Sequence, residues 1–146
     1  MSGLDSLYQQ VILDHSKQLS GFGELERADA ERFERNPTCG DEITLQVALE
    51  PGTDRIASFG WQGRGCSISM ASASVLSELA PGLTMPELQS RVDAFREMLR
   101  SRGVGEPDEE ILGDAVAFQG VAKYVMRIKC AMLAWVAAEG CMVQLR

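Results

Sequence analysis

Three of the four cysteines, Cys39, Cys66 and Cys130, lie far apart in this chain of 146 residues. Each stands close to small or polar residues, and the first falls in the segment Pro37-Thr38-Cys39-Gly40-Asp41. Three thiols and one carboxylate are enough to close a tetrahedral metal site. Such a site forms only if the fold brings the three thiols together. If they stay apart in space, the chain is a small acidic domain with ordinary buried cysteines.

Length and composition predict a single globular domain over residues 1–146, because 45% of the residues are hydrophobic and this length suits one core. The polar start, residues 1–5, does not fit a secretory signal. The longest apolar stretch, residues 131–138, is far shorter than the roughly 20 residues that span a bilayer. We therefore expect a cytoplasmic protein without a membrane partner, in which cysteines bind metal or catalyse rather than form disulfides.

The net charge of −7 bears on the class of partner. No run of Lys and Arg provides the positive surface that nucleic-acid binding needs, so we expect no nucleic-acid partner. An acidic surface fits steering toward a basic partner protein. It fits solubility alone equally well, and both interpretations stay open.

Hydrophobic spacing predicts an α+β fold. Alternation over residues 43–49 indicates a half-buried strand, and the turn residues 51–54 join it to a returning strand over 56–62. Residues 30–36 add a third short strand. The predicted helices cover residues 3–16, 67–79, 85–101, 108–114 and 120–139, with the last ending at Gly140. Strands followed by helices favour a small antiparallel sheet with helices packed on one face.

Cys39 and Cys66 lie at junctions between predicted elements. Cys39 is in a turn just before a strand, whereas Cys66 follows Gly65 and opens a helix. A helix N-terminus lowers the pKa of a thiol and favours the thiolate, which is the form that binds metal or attacks sulfur. Gly63 and Gly65 allow the backbone to pass close to whatever the thiolate holds. The alternative, buried structural cysteines at turns, stays open.

Asp41 and Cys130 complete the candidate set. In extended backbone, side chains two residues apart point the same way, so Cys39 and Asp41 would face one point. An aspartate that binds its own backbone in the turn is the alternative. Arg127 and Lys129 would stabilise a thiolate or persulfide at Cys130. A cysteine on the core face of an Ala-rich helix is the alternative there.

The other notable side chains have simpler interpretations. Cys141 follows Gly140 near the C-terminus, where fraying is expected, so we interpret it as a bystander. His15 ends the first predicted helix, where a histidine interacts favourably with the negative end of the helix dipole. Trp61 and Trp135 are expected in the core or at an interface.

Three segments of this chain resemble the SufU family of iron–sulfur cluster assembly proteins: residues 36–41, 65–74 and 127–131. Residues 12–15, Ile-Leu-Asp-His, agree as well, and the resemblance extends from about residue 4 to 138. It implies the IscU-like α+β fold, with about three antiparallel strands and helices packed on one face.

Two features resemble SufU more than the related IscU scaffolds. Sixty-three residues separate Cys66 from Cys130, more than in the scaffolds, and residues 84–107 are identified as a helical insertion. Lys129 precedes Cys130, where the scaffolds usually have a histidine. The scaffolds' Leu-Pro-Pro-Val-Lys chaperone motif is replaced by residues 124–127.

The resemblance implies a zinc-dependent sulfurtransferase. Such a protein accepts persulfide sulfur from a SufS-type cysteine desulfurase and works with other iron–sulfur assembly proteins. The metal ligands that it implies are Cys39, Asp41, Cys66 and Cys130. Cys39 would be the catalytic sulfur acceptor, with Arg127 and Lys129 in supporting positions. Two alternatives remain: a scaffold that assembles a [2Fe–2S] cluster on the same ligands, and a structural zinc module that docks onto partners.

Overall fold

A computed structural model describes residues 3–38 and 40–146, with side chains described from residue 5 onward. Cys39 therefore lies outside the described residues. The strands are β1 (Ala30–Asn36), β2 (Asp41–Leu49) and β3 (Ile56–Arg64). The α-helices are α1 (Gly3–Gln18), α2 (Ser67–Leu79), α3 (Met85–Arg100), α4 (Glu109–Leu112) and α5 (Val125–Leu145), and a 3₁₀ helix covers Gly113–Lys123.

The three strands form one antiparallel sheet in the order β1-β2-β3. Because side chains alternate between the faces of a strand, Ile43, Leu45 and Val47 all point to one face, where they are buried. Trp61 lies opposite Leu45 on β3 and is fully buried. Helices α2 and α5 cover this face, so the predicted α+β fold with helices on one face is confirmed.

Helix α2 has the predicted bounds, and its small residues let other helices come close. Eight of its thirteen residues are buried, half of them serines. The Ser72 hydroxyl donates to the carbonyl of Ala131 at 2.6 Å and accepts from the indole of Trp135 at 2.9 Å. A buried polar group needs such partners. These bonds fix α5 against α2.

Helix α3 begins with a capping box, in which Thr84 and Glu87 satisfy each other's backbone N–H groups. Its apolar face enters the core, where the Phe95 ring stacks on Trp135 with centroids 4.0 Å apart. Phe95 also meets Phe118 edge-on at 5.8 Å. The segment 84–107 thus contributes to the core. Its description as an insertion stays a prediction.

The segment after α4 differs from the prediction of one helix over 120–139. The chain forms a 3₁₀ helix to Lys123, and Tyr124 then takes an extended conformation that separates it from α5. Helix α5 does not end at Gly140. A Cβ at this position would lie 2.8–3.0 Å from the Arg32 side chain of β1, so the glycine accommodates a crossing strand rather than terminating the helix.

Helix α5 is the one helix among the described residues with the length and composition to cross a membrane. Its residues Ala131, Trp135 and Ala138 are buried within the domain. A helix that is apolar on most sides is also what the centre of a core requires. The apolar composition of α5 is therefore accounted for by its packing.

The stack of Phe95 on Trp135 predicts a large loss of stability in the variant Phe95→Ala. Emptying a fully buried aromatic site costs about 3–5 kcal/mol of unfolding free energy, measured by urea denaturation. Phe33→Ala is the matched control, because Phe33 is 54% exposed on the open face of the sheet, where such changes stay within about 0.5 kcal/mol. Equal losses in the two variants would contradict this account of the core.

Candidate metal centre

Asp41, the first residue of β2, supplies a buried carboxylate. It points to the same sheet face as Ile43 and is 3% exposed. Its Oδ1 accepts the backbone N–H of Cys66 at 3.1 Å, and its Oδ2 accepts the hydroxyl of Ser69. A Cβ at position 65 would lie 2.7 Å from this carboxylate, so Gly65 is needed for the close approach.

Cys66 is the N-cap residue of α2, and its side chain makes no capping hydrogen bond. Its Sγ lies 3.6 Å from Asp41 Oδ2 and 3.7 Å from Ser69 Oγ. The thiol is therefore turned toward the carboxylate rather than toward the helix end. The N–H groups of the first turn, which have no partner within the helix, give this place a partial positive charge.

Cys130 lies in the second turn of α5 and is buried. Its Sγ is 3.8 Å from the carbonyl of Met126. One ligand atom each from Asp41, Cys66 and Cys130 all lie within 4.8 Å of one another. The structure therefore brings together three of the four predicted ligands, from a strand and two helices. The fourth, Cys39, is outside the described residues.

The donor set fits a tetrahedral ion. Bond lengths of about 2.3 Å to sulfur and 2.0 Å to oxygen place neighbouring ligand atoms roughly 3.3–3.8 Å apart in a zinc tetrahedron. The 3.6 Å from Cys66 Sγ to Asp41 Oδ2 falls in that range. Two thiols and one carboxylate leave one corner for a further ligand. This arrangement therefore suits zinc in both chemistry and spacing.

Arg127 lies beside both thiols. The pKa of the Arg127 guanidinium is raised, chiefly by the negative charge of Cys66. A hydrogen bond with Cys130, the charge of Cys130 and a hydrogen bond with Cys66 act in the same direction. The side chain is exposed. Arg127 therefore places a positive charge beside the two cysteines.

Lys129, the other predicted supporting cation, lies over the hairpin. It lines a groove together with Asn36, Pro37 and Thr38, the residues that lead out of β1. Lys129 therefore belongs to the side of α5 that faces the hairpin. The structure brings Arg127, rather than Lys129, into contact with the thiols.

His15 has a more specific position than the end of a helix. It is 4% exposed, with Nδ1 2.8 Å from Ser74 Oγ and Nε2 3.0 Å from Asp114 Oδ2. It therefore connects α1 to α2 and to the 3₁₀ helix. Sequence reasoning missed both partners, because they lie 59 and 99 residues away.

Sequence reasoning also missed Ser69. This buried serine binds the carboxylate of Asp41 and occupies the third position after the N-cap Cys66. A hydroxyl there lies on the first turn of the helix, close to anything bound at its N-terminus. The position of Ser69 three residues after Cys66 was therefore the signal in the sequence that could have identified it.

Cys141 corrects the expectation of a frayed terminus. Helix α5 continues to Leu145, and Cys141 is fully buried within it. Its Sγ lies 3.6 Å from the carbonyl of Leu45, and burial raises the pKa of the thiol to about 12. Cys141 is eleven positions after Cys130 on the same helix, which is about 16 Å along its axis. Cys141 is therefore a core residue outside the candidate centre.

The fold and the centre define a small α+β domain with a cysteine–carboxylate centre at one end of its sheet. Residues 7–131 match the model of the NifU-like N-terminal domain. The chain belongs to this family, which includes the IscU and SufU proteins.

Individual relatives agree with this assignment. Over 139 residues the chain is 42% identical to the "zinc-dependent sulfurtransferase SufU" of Bacillus subtilis (strain 168), which covers 94% of this chain and 90% of the relative. It is 39% identical over 135 residues to the "iron-sulfur cluster assembly scaffold protein IscU" of Streptococcus pyogenes serotype M1. That alignment covers 92% of this chain and 82% of the relative. The resemblance to SufU is thus confirmed.

A solved structure gives the same fold. The N-terminal region of a nitrogen-fixing NifU-like protein from Brucella abortus superposes with a TM-score of 0.85 at 26% identity, covering 99% of this chain and 97% of that one. The IscU-like architecture predicted from the sequence is confirmed by this agreement.

The burial of Cys141 predicts that it resists alkylation in the folded protein. At pH 8 a thiol with a pKa of about 12 is ionised in only about one molecule in ten thousand, and the thiolate is the reactive form. Peptide mass spectrometry after iodoacetamide treatment should find Cys141 unmodified in native protein and fully modified in guanidinium. Labelling of Cys141 at the rate of a free thiol in the native protein would refute its assignment to the core.

Proposed function

We propose that this protein is a zinc-dependent sulfurtransferase of iron–sulfur cluster assembly. It accepts persulfide sulfur from a SufS-type cysteine desulfurase and delivers it to other assembly proteins in the cytoplasm. The observation that supports this most is the convergence of Asp41, Cys66 and Cys130 within 4.8 Å. The 42% identity to a relative named a zinc-dependent sulfurtransferase supports the same activity.

In this proposal zinc is held by Cys39, Asp41, Cys66 and Cys130. The ion would keep the thiols deprotonated and add its binding energy to the stability of the fold. Cys39 belongs to the set because of its place in the sequence. Two residues of chain limit the separation of its Cα from that of Asp41 to about 7 Å.

Cys39 is the proposed sulfur acceptor because the other three candidate ligands are held firmly by the fold. Asp41 is held by two hydrogen bonds, Cys66 begins a helix, and Cys130 is buried inside another. Cys39 lies between β1 and β2, followed by Gly40 with a φ of +75°. A ligand carried on a hairpin loop exchanges for a partner's ligand at a lower cost than one carried on a helix.

The chemical step is an exchange between a thiolate and a persulfide. The Cys39 thiolate attacks the outer sulfur of the desulfurase persulfide, and a new S–S bond forms on Cys39. The S–S bond on the desulfurase breaks, and its cysteine leaves as a thiolate. No net oxidation occurs. Arg127, which already contacts both thiols, would stabilise the negative charge on the transferred sulfur, with Lys129 on the hairpin side.

Substitution of the proposed acceptor provides the test. Cys39→Ala should abolish the stimulation of a cysteine desulfurase and the persulfide on this protein, because the attacking sulfur is gone. Desulfurase turnover and persulfide labelling are the measurements. Cys141→Ala is the matched control, as the same substitution at a cysteine outside the centre, and should keep both activities. Full stimulation by a zinc-loaded Cys39→Ala protein would refute sulfur transfer and support a zinc module that docks onto partners.

A [2Fe–2S] scaffold is the second candidate. It is favoured by the relative from Streptococcus pyogenes, which is named a scaffold protein, and thiolates bind both metals. Elemental analysis of anaerobically purified protein distinguishes the two. Sulfur transfer predicts about one zinc per chain and no visible absorption, since zinc has a filled d shell. A brown protein with iron and acid-labile sulfide would favour the scaffold.

A further inference from the structure

A second group of potential metal ligands lies away from the cysteine centre. One ligand atom each from His15 in α1, Glu78 in α2 and Asp114 in the 3₁₀ helix all lie within 4.8 Å of one another. Glu78 comes twelve positions after Cys66, the N-cap of α2, which is about 18 Å along the helix axis. The two groups are therefore separate, and this one offers nitrogen and oxygen atoms instead of sulfur.

The imidazole of His15 is held in the way that a metal-binding histidine is held. It is 4% exposed, and its Nδ1 lies 2.8 Å from the hydroxyl of Ser74, which also accepts the backbone N–H of Ser20. A histidine that binds a metal through one ring nitrogen commonly donates a hydrogen bond through the other, which fixes the orientation of the ring. Ser74 is placed to accept that bond, and Nε2 is then the ligand atom.

The distance at Nε2 is that of two neighbouring metal ligands. Nε2 of His15 lies 3.0 Å from Oδ2 of Asp114. Two atoms that are each about 2.1 Å from an octahedral ion lie about 3.0 Å from each other. In the structure this distance spans a hydrogen bond, so a metal ion would replace the proton that the two side chains share.

The two carboxylates give this place a negative charge. In the part of the chain that the structure describes, neither Glu78 nor Asp114 forms an ion pair with Lys or Arg. Glu78 is oriented by two neutral donors, the amide of Gln18 and the hydroxyl of Ser20. Two carboxylates this close repel each other, and a divalent cation between them would remove that repulsion. Both are exposed, so an ion can reach them from solvent and keep water molecules in its remaining positions.

We propose that His15, Glu78 and Asp114 bind a divalent transition-metal ion such as Mn²⁺. One imidazole and two carboxylates are a harder donor set than thiolates, and manganese prefers oxygen ligands. The ion joins α1, α2 and the 3₁₀ helix, and its binding energy adds to the stability of the fold. This inference does not depend on sulfur transfer.

The test titrates Mn²⁺ into protein that carries one equivalent of zinc, which the thiols bind first. The EPR signal of free Mn²⁺ measures how much is bound, and the wild type should bind about one Mn²⁺ per chain. Glu78→Gln and Asp114→Asn keep the shape of each side chain but remove its charge. Each should weaken manganese binding about tenfold or more.

Glu110→Gln is the matched control. Glu110 is an exposed acid four positions before Asp114, and it is not one of the three ligands, so its loss should leave the affinity unchanged. Equal affinity for Mn²⁺ in the wild type and all three variants would mean that the ion binds surface acids adventitiously, and would overturn the inference. Sulfur transfer would be unaffected by that result.

A second measurement needs no variant and covers the case in which the variants fail to fold. His15 is the only histidine of the chain, so its ring signals in the NMR spectrum can be identified directly. Bound Mn²⁺ is paramagnetic and should broaden these signals beyond detection. The backbone amide of Cys66, about 18 Å away along α2, should broaden far less, because the effect falls steeply with distance. Ring signals of His15 that stay sharp at saturating Mn²⁺ would overturn the inference.

Discussion

The carboxylate of Asp41 is the contact on which the centre depends. It accepts the backbone N–H of Cys66 and the hydroxyl of Ser69, and so ties the beginning of β2 to the first turn of α2. A buried acceptor left without such partners would cost roughly 1–3 kcal/mol. The thiol of Cys66 also lies 3.6 Å from Asp41 Oδ2. One side chain thus connects sheet to helix and also belongs to the candidate ligand set.

Packing around α2 then sets the position of the third ligand. The serines and alanines of α2 are small enough for α5 to lie close, and Ser72 fixes α5 through Ala131 and Trp135. Cys130 precedes Ala131, so its place follows from a helix contact outside the centre. The aromatic stack of α3 on Trp135 supports the same helix from the other side. The spacing of the candidate ligands is therefore a result of core packing.

Local pattern predicted much of this arrangement. The period-two alternation predicted β2, and the turn residues predicted the hairpin. The helix predicted over residues 67–79 matches α2. Each of these signals is contained in a few neighbouring residues. The 3₁₀ helix and the continuation past Gly140 were missed. A helix-like apolar pattern does not distinguish 3₁₀ from α, and Gly140 is explained by a contact with Arg32 from a distant strand. The partners of His15 were hidden for the same reason.

The same donor set suits zinc and iron, so the difference between a sulfur carrier and a cluster scaffold must come from the side chains around it. Here those include the guanidinium of Arg127, whose pKa is raised by its interactions with both thiols, and Lys129, which lines the groove beside the hairpin. Such a surround stabilises added negative charge outside the ligand shell, as an anionic persulfide requires. Which of the two activities the centre supports therefore depends on these surroundings as well as on the ligands.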